Sequence, residues 1–332
     1  MIGQPPPIVS VVLPVRNAAG TLDDALNSVL AQTFKAFEVI AVDDGSTDGT
    51  PEVLRRAAWR DSRLRVISTT GGGITAALNR GVSLAAGRFI ARQDADDASM
   101  PQRFERQVEW LEQRPRVCAV GTGAVTIDSV GRPIGQFPIR LGVAAVRKGL
   151  LTARVTPVHG SMMIRRECLV EVGGYREAFV MSQDFDLWLR LLERYDIDNI
   201  EECLYQWRLT SGSVYGARRH TQLLYCGIGL AFAAERRRFG SDSYDLLERS
   251  RGDLEAFAER YRLRGRLHAV SGDLLLRGLN DAGLARRQCW LAVRNGYLHP
   301  RTLLLWVWTT MGLGWPGTKP LRAPLSKRPN AS

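Results

Sequence analysis

Phe89-Ile90-Ala91-Arg92-Gln93-Asp94-Ala95-Asp96-Asp97 is the stretch on which the fold turns. Phe89–Ala91 is a short apolar run and reads as a buried strand. It leads into three carboxylates within four residues. Carboxylates this close repel one another, so water, a helix N-terminus or a hard divalent cation must compensate. Ser99 and Pro101 announce a helix running to about Arg114, and capping of that helix accounts well for Asp97. It accounts poorly for Asp94 and Asp96, which lie further from the helix. Their oxygens suit Mg²⁺ or Mn²⁺, which keep waters or substrate phosphates in their remaining positions.

Upstream, the same strand–polar cluster pattern repeats. Ile8–Leu13 reads as a buried strand ending at Pro14-Val15-Arg16-Asn17. Thr21 offers an N-cap to a helix carrying Leu22, Ala25, Leu26, Val29 and Leu30 at helical spacing. Phe37–Val42 is a second strand, broken by Asp43-Asp44-Gly45-Ser46, and Thr50-Pro51-Glu52 starts the next helix with Pro at its first position. Leu64–Ile67 is a third strand and Ile74–Ala86 a helix stopping at Gly87. Strand alternating with helix four times predicts an α/β doubly wound sheet, whose ligands sit at the carboxyl ends of the strands. Downstream, Val117–Thr122 and Ala124–Asp128 read as two strands, and residues 155–215 carry short strands and a turn at Gly173-Gly174-Tyr175. From about Arg218 the chain is rich in Arg, Leu and Ala with helical periodicity.

Motif searches narrow the chemistry. No G-x-G-x-x-G follows the first strand, which disfavours a nicotinamide or flavin site, and no P-loop sequence occurs. Gly71-Gly72-Gly73 reads either as a flexible tight turn or as a backbone cradle for phosphate. A helix spanning about Ser182 to Arg194 places Asp184 and Asp186 in its first turn. Asp186 has Arg190 four residues on, the spacing of an ordinary surface pair. Asp184 has Trp188 at that spacing and Leu191 beyond it. A carboxylate on an apolar face has no ordinary surface role, so Asp184 is a candidate general base or ligand contact.

Taken in order, these blocks resemble the family 2 glycosyltransferases of the GT-A fold. Val9-Ser10-Val11-Val12-Leu13-Pro14-Val15-Arg16-Asn17 resembles the family's opening strand. Leu30-Ala31-Gln32-Thr33-Phe34 and Val42-Asp43-Asp44-Gly45-Ser46-Thr47-Asp48 resemble its next blocks. Gly73-Ile74-Thr75-Ala76-Ala77-Leu78-Asn79-Arg80-Gly81 resembles the helix before the metal motif, and Asp94-Ala95-Asp96-Asp97 resembles the D-x-D motif itself. Val172-Gly173-Gly174-Tyr175 and Gln183-Asp184-Phe185-Asp186-Leu187-Trp188-Leu189-Arg190 resemble the acceptor-side blocks. The likeness covers roughly residues 8–210. Arg16 stands where an aromatic residue is frequent, Gln183 where Glu usually precedes the base, and Arg208-Leu209-Thr210 where many members carry His after the Arg.

The resemblance implies a Rossmann-like mixed sheet flanked by helices over residues 8–215. It also implies an inverting transfer from a nucleotide-diphospho-sugar to an acceptor hydroxyl, in polysaccharide, cell-envelope glycan or glycolipid synthesis. Asp44 would hydrogen-bond the nucleobase, with Pro14 and Arg16 lining that pocket through their backbone. Asp94 would contact the ribose or the metal, Asp96 would bind Mn²⁺ or Mg²⁺, and Asp184 would be the general base. His159 and Trp188 would stand on the acceptor side. Asp44 points weakly to a UDP- or dTDP-sugar, and the acceptor is expected to be a glycan or lipid-linked. A nucleotidyltransferase is the alternative, but it expects a basic Gly-rich loop after the first strand, which Pro14–Gly20 lacks. A non-catalytic binding protein of the same fold would be expected to have lost Asp94, Asp96 or Asp184, all of which are present.

Charge divides the chain. The 332 residues carry a net +11 and 45% hydrophobic residues. Residues 1–215 hold 25 basic and 25 acidic side chains, whereas residues 216–332 hold 20 basic and 9 acidic ones. A neutral candidate catalytic part argues against nucleic acid as a partner. The basic excess suits peripheral contact with an anionic membrane surface. Thr302–Trp315 is apolar but shorter than the roughly 20 residues of a spanning helix, and reads as a core or interfacial helix. We thus expect a short tail (1–7), the transferase domain (8–215), a helical region (216–315) and a mobile basic tail (316–332). Met1–Pro7 shows neither a basic nor an apolar leader region. Five widely spaced cysteines without C-x-x-C favour neither a disulfide framework nor zinc. The expected location is the cytoplasm, either free or peripheral at the membrane's cytoplasmic face.

Overall fold

The computed structural model describes residues 6–153, 155–209 and 219–250, with isolated positions beyond. The expected helices beyond 250, the apolar stretch 302–315 and the basic tail 316–332 lie outside the described residues. Met1–Leu254 form one compact unit.

Four strands, β1 (Val9–Val15), β2 (Phe37–Asp44), β3 (Leu64–Thr69) and β4 (Phe89–Arg92), lie parallel in the order β3-β2-β1-β4. Helices α1 (Leu22–Leu30), α2 (Thr50–Arg60) and α3 (Ile74–Leu84) connect them. β1 is buried along its length, and its alternation decides what covers each face. Val9, Val11, Leu13 and Val15 pack with Leu22, Leu26 and Val29 of α1 and with Phe104, Val108 and Leu111 of α4 (Arg103–Glu112). Val12 belongs to the opposite face with Ala77 and Leu78 of α3. Gly81 allows that approach, since a Cβ there would stand 2.5 Å from the Val12 side chain.

Beyond β4 the sheet becomes mixed. β8 (Met163–Arg165) runs antiparallel to β4 and to β6 (Val117–Ile127), and β9 (Asp196–Arg208) runs parallel to β6. The two-residue β5 (Ala98–Ser99) and the exposed β7 (Pro133–Phe137) pair antiparallel with β9 and β6. The two strands expected over 117–128 are one, with a register shift at Gly123. A Cβ there would meet the Glu201 carbonyl at 2.7 Å, so the glycine permits the bulge rather than ending the strand. β9, 13 residues long, is likewise one strand where short ones were expected.

The second face is closed by α5 (Val143–Leu151), α6 (Arg166–Glu171), α7 (Gln183–Leu191) and α8 (Arg219–Phe239), with a short α9 (Tyr244–Arg249) after it. Tyr225, Ile228, Phe232 and Ala233 of α8 are buried, and Phe179 meets the Tyr225, Phe232 and Tyr244 rings at 5.7–6.4 Å. Among the described residues, no helix is long and apolar enough to cross a membrane.

Candidate active site

The carboxyl ends of β1, β2 and β4 converge on one cleft of about 540 Å³, lined by Pro14, Arg16, Asp44, Gly73, Asp94 and Asp96 among others. Five candidates from three separate sequence blocks thus share one wall. The loops after β1 and β2 are bonded to each other. Ser46 Oγ accepts from the Asn17 amide, Asn17 Oδ1 accepts from the Thr47 amide, and Thr50 Oγ1 accepts from the Ala18 amide. Asn17 takes a left-handed φ of 51°, which Asn tolerates better than most residues.

Asp44 is 3% exposed. Its Oδ1 accepts from the Thr69 hydroxyl and the Gly72 amide, and its Oδ2 from the Gly73 amide, each at 2.8 Å. Arg16 Nη1 stands 3.8 Å away. Burial opposes ionisation, but the Thr69 hydroxyl, the Gly73 and Gly72 amides and the Arg16 charge outweigh it and hold the carboxyl below its ordinary value. Gly71-Gly72-Gly73 forms a turn, with Gly71 and Gly73 at positive φ, and the Gly72 and Gly73 amides are taken by a protein carboxylate rather than a phosphate. An ionised carboxylate offers about four acceptor positions, so Asp44 keeps roughly one for a ligand in the cleft.

The D-x-D segment is organised by residues that the sequence reading did not single out. Arg92 ends β4, is 1% exposed, and donates from Nη2 to Asp94 Oδ1 at 2.6 Å. The Tyr205 hydroxyl of β9 accepts from the Asp94 amide and donates to Asp97 Oδ2 at 2.8 Å. Arg208 donates its amide to Asp97 Oδ1 and its Nε to the Asp96 carbonyl, each at 2.8 Å. Asp97 therefore does not cap a helix: α4 starts only at Arg103, and Asp97 is bonded across to β9. Burial and the charges of Asp94 and Asp96 push its carboxyl well above the ordinary range. Thr21 also departs from the capping expectation, donating its hydroxyl to the Ala95 carbonyl at 3.0 Å and so tying α1 to the D-x-D loop. Arg92 had one sequence signal: a lone cation inside an otherwise apolar strand.

Mn²⁺ or Mg²⁺ fits Asp94 and Asp96. Both line the cleft, Asp94 has one oxygen engaged by Arg92, and burial and the Asp94 charge push the Asp96 carboxyl up. A divalent cation relieves that repulsion, and these metals commonly take one or two carboxylates plus substrate phosphates. Among the described residues, no three His, Cys, Asp or Glu side chains gather into an all-protein cage.

Asp184 lies on a separate element. It stands in the first turn of α7, and burial, with a smaller contribution from the Asp94 charge, raises its carboxyl to about 6 against the Phe185 amide, its own amide and the Arg92 charge. Beneath it Trp188 is fully buried, and the His159 ring meets Trp188 at 5.9 Å edge-on. His159 Nε2 is 2.8 Å from the Tyr175 hydroxyl, and burial and the Arg92 charge push its pKa well below the ordinary histidine value. Gly160 lets this turn close on the cleft, since a Cβ there would stand 2.6 Å from Asp94 Oδ2. Asn79 of α3 clamps Tyr175 by accepting from its amide and donating to its carbonyl. Asp186, expected as half of a surface pair, is 0% exposed. It binds Arg190 Nε at 2.9 Å and stands 3.6 Å from Arg176, while Arg190 also donates to the Val172 and Gly174 carbonyls, so the turn at 172–176 covers the face that sequence spacing alone left open to solvent.

The mixed sheet with a cleft at its parallel-strand ends is the architecture of GT-A glycosyltransferases. The family model for glycosyl transferase family 2 matches residues 10–173, and the chain belongs to that family. It is 35% identical over 207 residues to the putative glycosyltransferase EpsE of Bacillus subtilis, covering 61% of this chain and 73% of that relative. It is 32% identical to the putative teichuronic acid biosynthesis glycosyltransferase TuaG of the same organism, covering 63% and 81%. Among solved structures, S. aureus TarS 1-349 in complex with UDP superposes with a TM-score of 0.59 at 17% identity, over 92% of this chain and 91% of that one. The mannosyltransferase PcManGT from Pyrobaculum calidifontis, in complex with GDP-Man and Mn²⁺, gives 0.54 at 20% identity, over 92% and 84%. At these identities the two structures speak for the fold.

Proposed function

We propose that the protein moves a sugar from a UDP- or dTDP-sugar to a hydroxyl of a glycan or lipid-linked acceptor in cell-envelope synthesis, with inversion and with Mn²⁺ or Mg²⁺. The observation that carries this reading is the gathering of Pro14, Arg16, Asp44, Asp94 and Asp96 on one cleft. The TuaG likeness supports the envelope setting; the neighbours holding UDP and GDP-Man support a nucleotide-sugar donor, and the choice of a UDP- or dTDP-sugar rests on Asp44.

Asp44 uses its remaining acceptor position on the imide N–H of uracil or thymine, beside the Pro14 and Arg16 backbone. Asp94 meets the ribose or the metal, and Asp96 holds the metal. A bound divalent ion supplies positive charge that stabilises the diphosphate as it leaves. Asp184 accepts the acceptor's hydroxyl proton while that oxygen bonds to the anomeric carbon and the sugar–diphosphate bond breaks. A carboxyl near 6 is a stronger base than an ordinary one and is still ionised at neutral pH. The basic residues of 216–332 would dock the enzyme on an anionic cytoplasmic leaflet. Sedimentation of the full chain with anionic but not zwitterionic vesicles is the expected result.

A sugar-nucleotide panel scored by nucleoside-diphosphate release tests the reaction. Slow hydrolysis of one donor, dependent on Mn²⁺ or Mg²⁺ and lost in Asp184→Asn, is expected. Release that is indifferent to the metal would remove the metal role of Asp96.

A further inference from the structure

Ser182 immediately precedes α7 and takes φ 54°, ψ 29°, the left-handed region. For a residue other than Gly, Asn or Asp this conformation is costly and persists only where its surroundings hold it. Ser182 is 6% exposed and caps no amide of its own helix. Its hydroxyl instead donates to the Gln222 carbonyl of α8 at 3.1 Å and accepts from Cys226 Sγ of α8 at 3.3 Å. Its carbonyl accepts from the Asp186 amide at 3.1 Å and so opens the helix that carries Asp184. One turn further along α8, Gly229 leaves room against Phe185 and Leu189, where a Cβ would sit at 3.5 Å from each. The strained residue two positions before the base is therefore pinned by a helix that follows it by some forty residues.

We infer that Ser182 is a positioning residue, and that its hydroxyl bridge to Gln222 and Cys226 makes α8 part of the device that aims Asp184 at the acceptor. This rests on the reading of Asp184 as the base. Left-handed backbone alone would be served as well or better by glycine, so the hydroxyl is what distinguishes a bridge from a turn. Loosening the bridge would let the first turn of α7 open and hydrate the Asp184 carboxylate. The charged and titratable groups acting on that carboxylate are Asp94 and Arg92 from the D-x-D side, Tyr175, and Cys226 of α8.

Ser182→Gly and Cys226→Ala test the inference in the full-length protein. Ser182→Gly keeps the backbone permitted and removes both bonds; Cys226→Ala removes one and leaves the backbone alone. We expect kcat to fall about tenfold or more in the first and less in the second, with donor KM within about twofold. The difference in thermal midpoint between each chain and its Asp184→Asn counterpart, followed against pH, reports the Asp184 titration whatever the activity. Its inflection should move down from about 6 in Ser182→Gly. Unchanged kcat in both variants, or an inflection that stays in place, overturns the inference. Undiminished transfer by the full-length Asp184→Asn protein would instead count against the reading of Asp184 as a base, and the inflection would still decide whether Ser182 sets its environment.

Discussion

The two walls of the candidate active site are built differently. The candidate donor wall comes from the first hundred residues, where each functional side chain follows a parallel strand; the loops after β1 to β3 bond to one another, as Asn17 does to Thr47 and Asp44 to Thr69, and the D-x-D loop is tied across to β9. The base wall comes from residues 155–250. There Asp184 is held by α7, α7 by a buried charge network, and that network by α8. Asp186 binds Arg190 and stands 3.6 Å from Arg176; Arg176 binds Asp242 at 2.8 Å, and Arg236 joins Asp242 to Glu193. On the donor wall each carboxylate has its own partners, Asp44 the Thr69 hydroxyl and two amides and Asp94 the Arg92 guanidinium, so its parts fail singly. A few desolvated charges make a wall that fails together.

The largest expected effect separates chemistry from binding. Asp184→Asn should lower kcat by ~10²–10⁴-fold, the usual worth of general-base catalysis, while calorimetry finds nucleotide binding unchanged. Undiminished transfer would place the base elsewhere. Next, Asp186→Ala leaves Arg190 and Arg176 without their shared carboxylate. Breaking a buried pair typically costs about 3–5 kcal/mol, to be read from urea denaturation. A loss under about 1 kcal/mol, the range of exposed pairs, would erase the proposed contrast between the walls. Smaller again, Asp44→Ala orphans the Thr69 hydroxyl and two amides. It should cost about 1–3 kcal/mol in stability and raise donor KM at least tenfold with kcat at saturation little changed.

The same contrast explains what was legible in the sequence. β1 to β4, α1 to α3 and the residues that share the cleft are legible because each lies in a contiguous strand–loop block with an unmixed hydrophobic period. Asp184 stands out as a candidate because a carboxylate with Trp at the next turn is anomalous on a helix surface. Asp186 was misread as a surface residue because i, i+4 spacing carries no information about what another segment covers. Asp97 was assigned to capping because its partners, Tyr205 and Arg208, lie over a hundred residues away. Ser182 gave no signal at all: a left-handed serine is specified by α8, not by its own neighbours.

The smallest prediction gives the two walls opposite signs in pH. Asp44 ionises more readily in the fold than in the unfolded chain, where its value is near 3.8. Its contribution to stability is present above that value and is lost as pH falls through the lower folded one. Asp184 is the reverse. Its folded value is about 6, so the fold favours the protonated acid. That contribution is complete below the unfolded value near 3.8 and disappears as pH rises through 6. Asp44→Asn should therefore lower the thermal midpoint at pH 7, whereas Asp184→Asn should raise it at pH 8 and do little at pH 4. A shift of about two units bounds the Asp184 gain at about 3 kcal/mol, less whatever its partial exposure screens. The catalytic counterpart follows from the same ionisation: kcat should fall about tenfold for each unit below 6 as Asp184 takes up its proton. A turnover profile flat from pH 5 to 8, or an Asp184→Asn chain that is less stable than wild type at pH 8, would mean that both walls hold their carboxylates ionised in the same way.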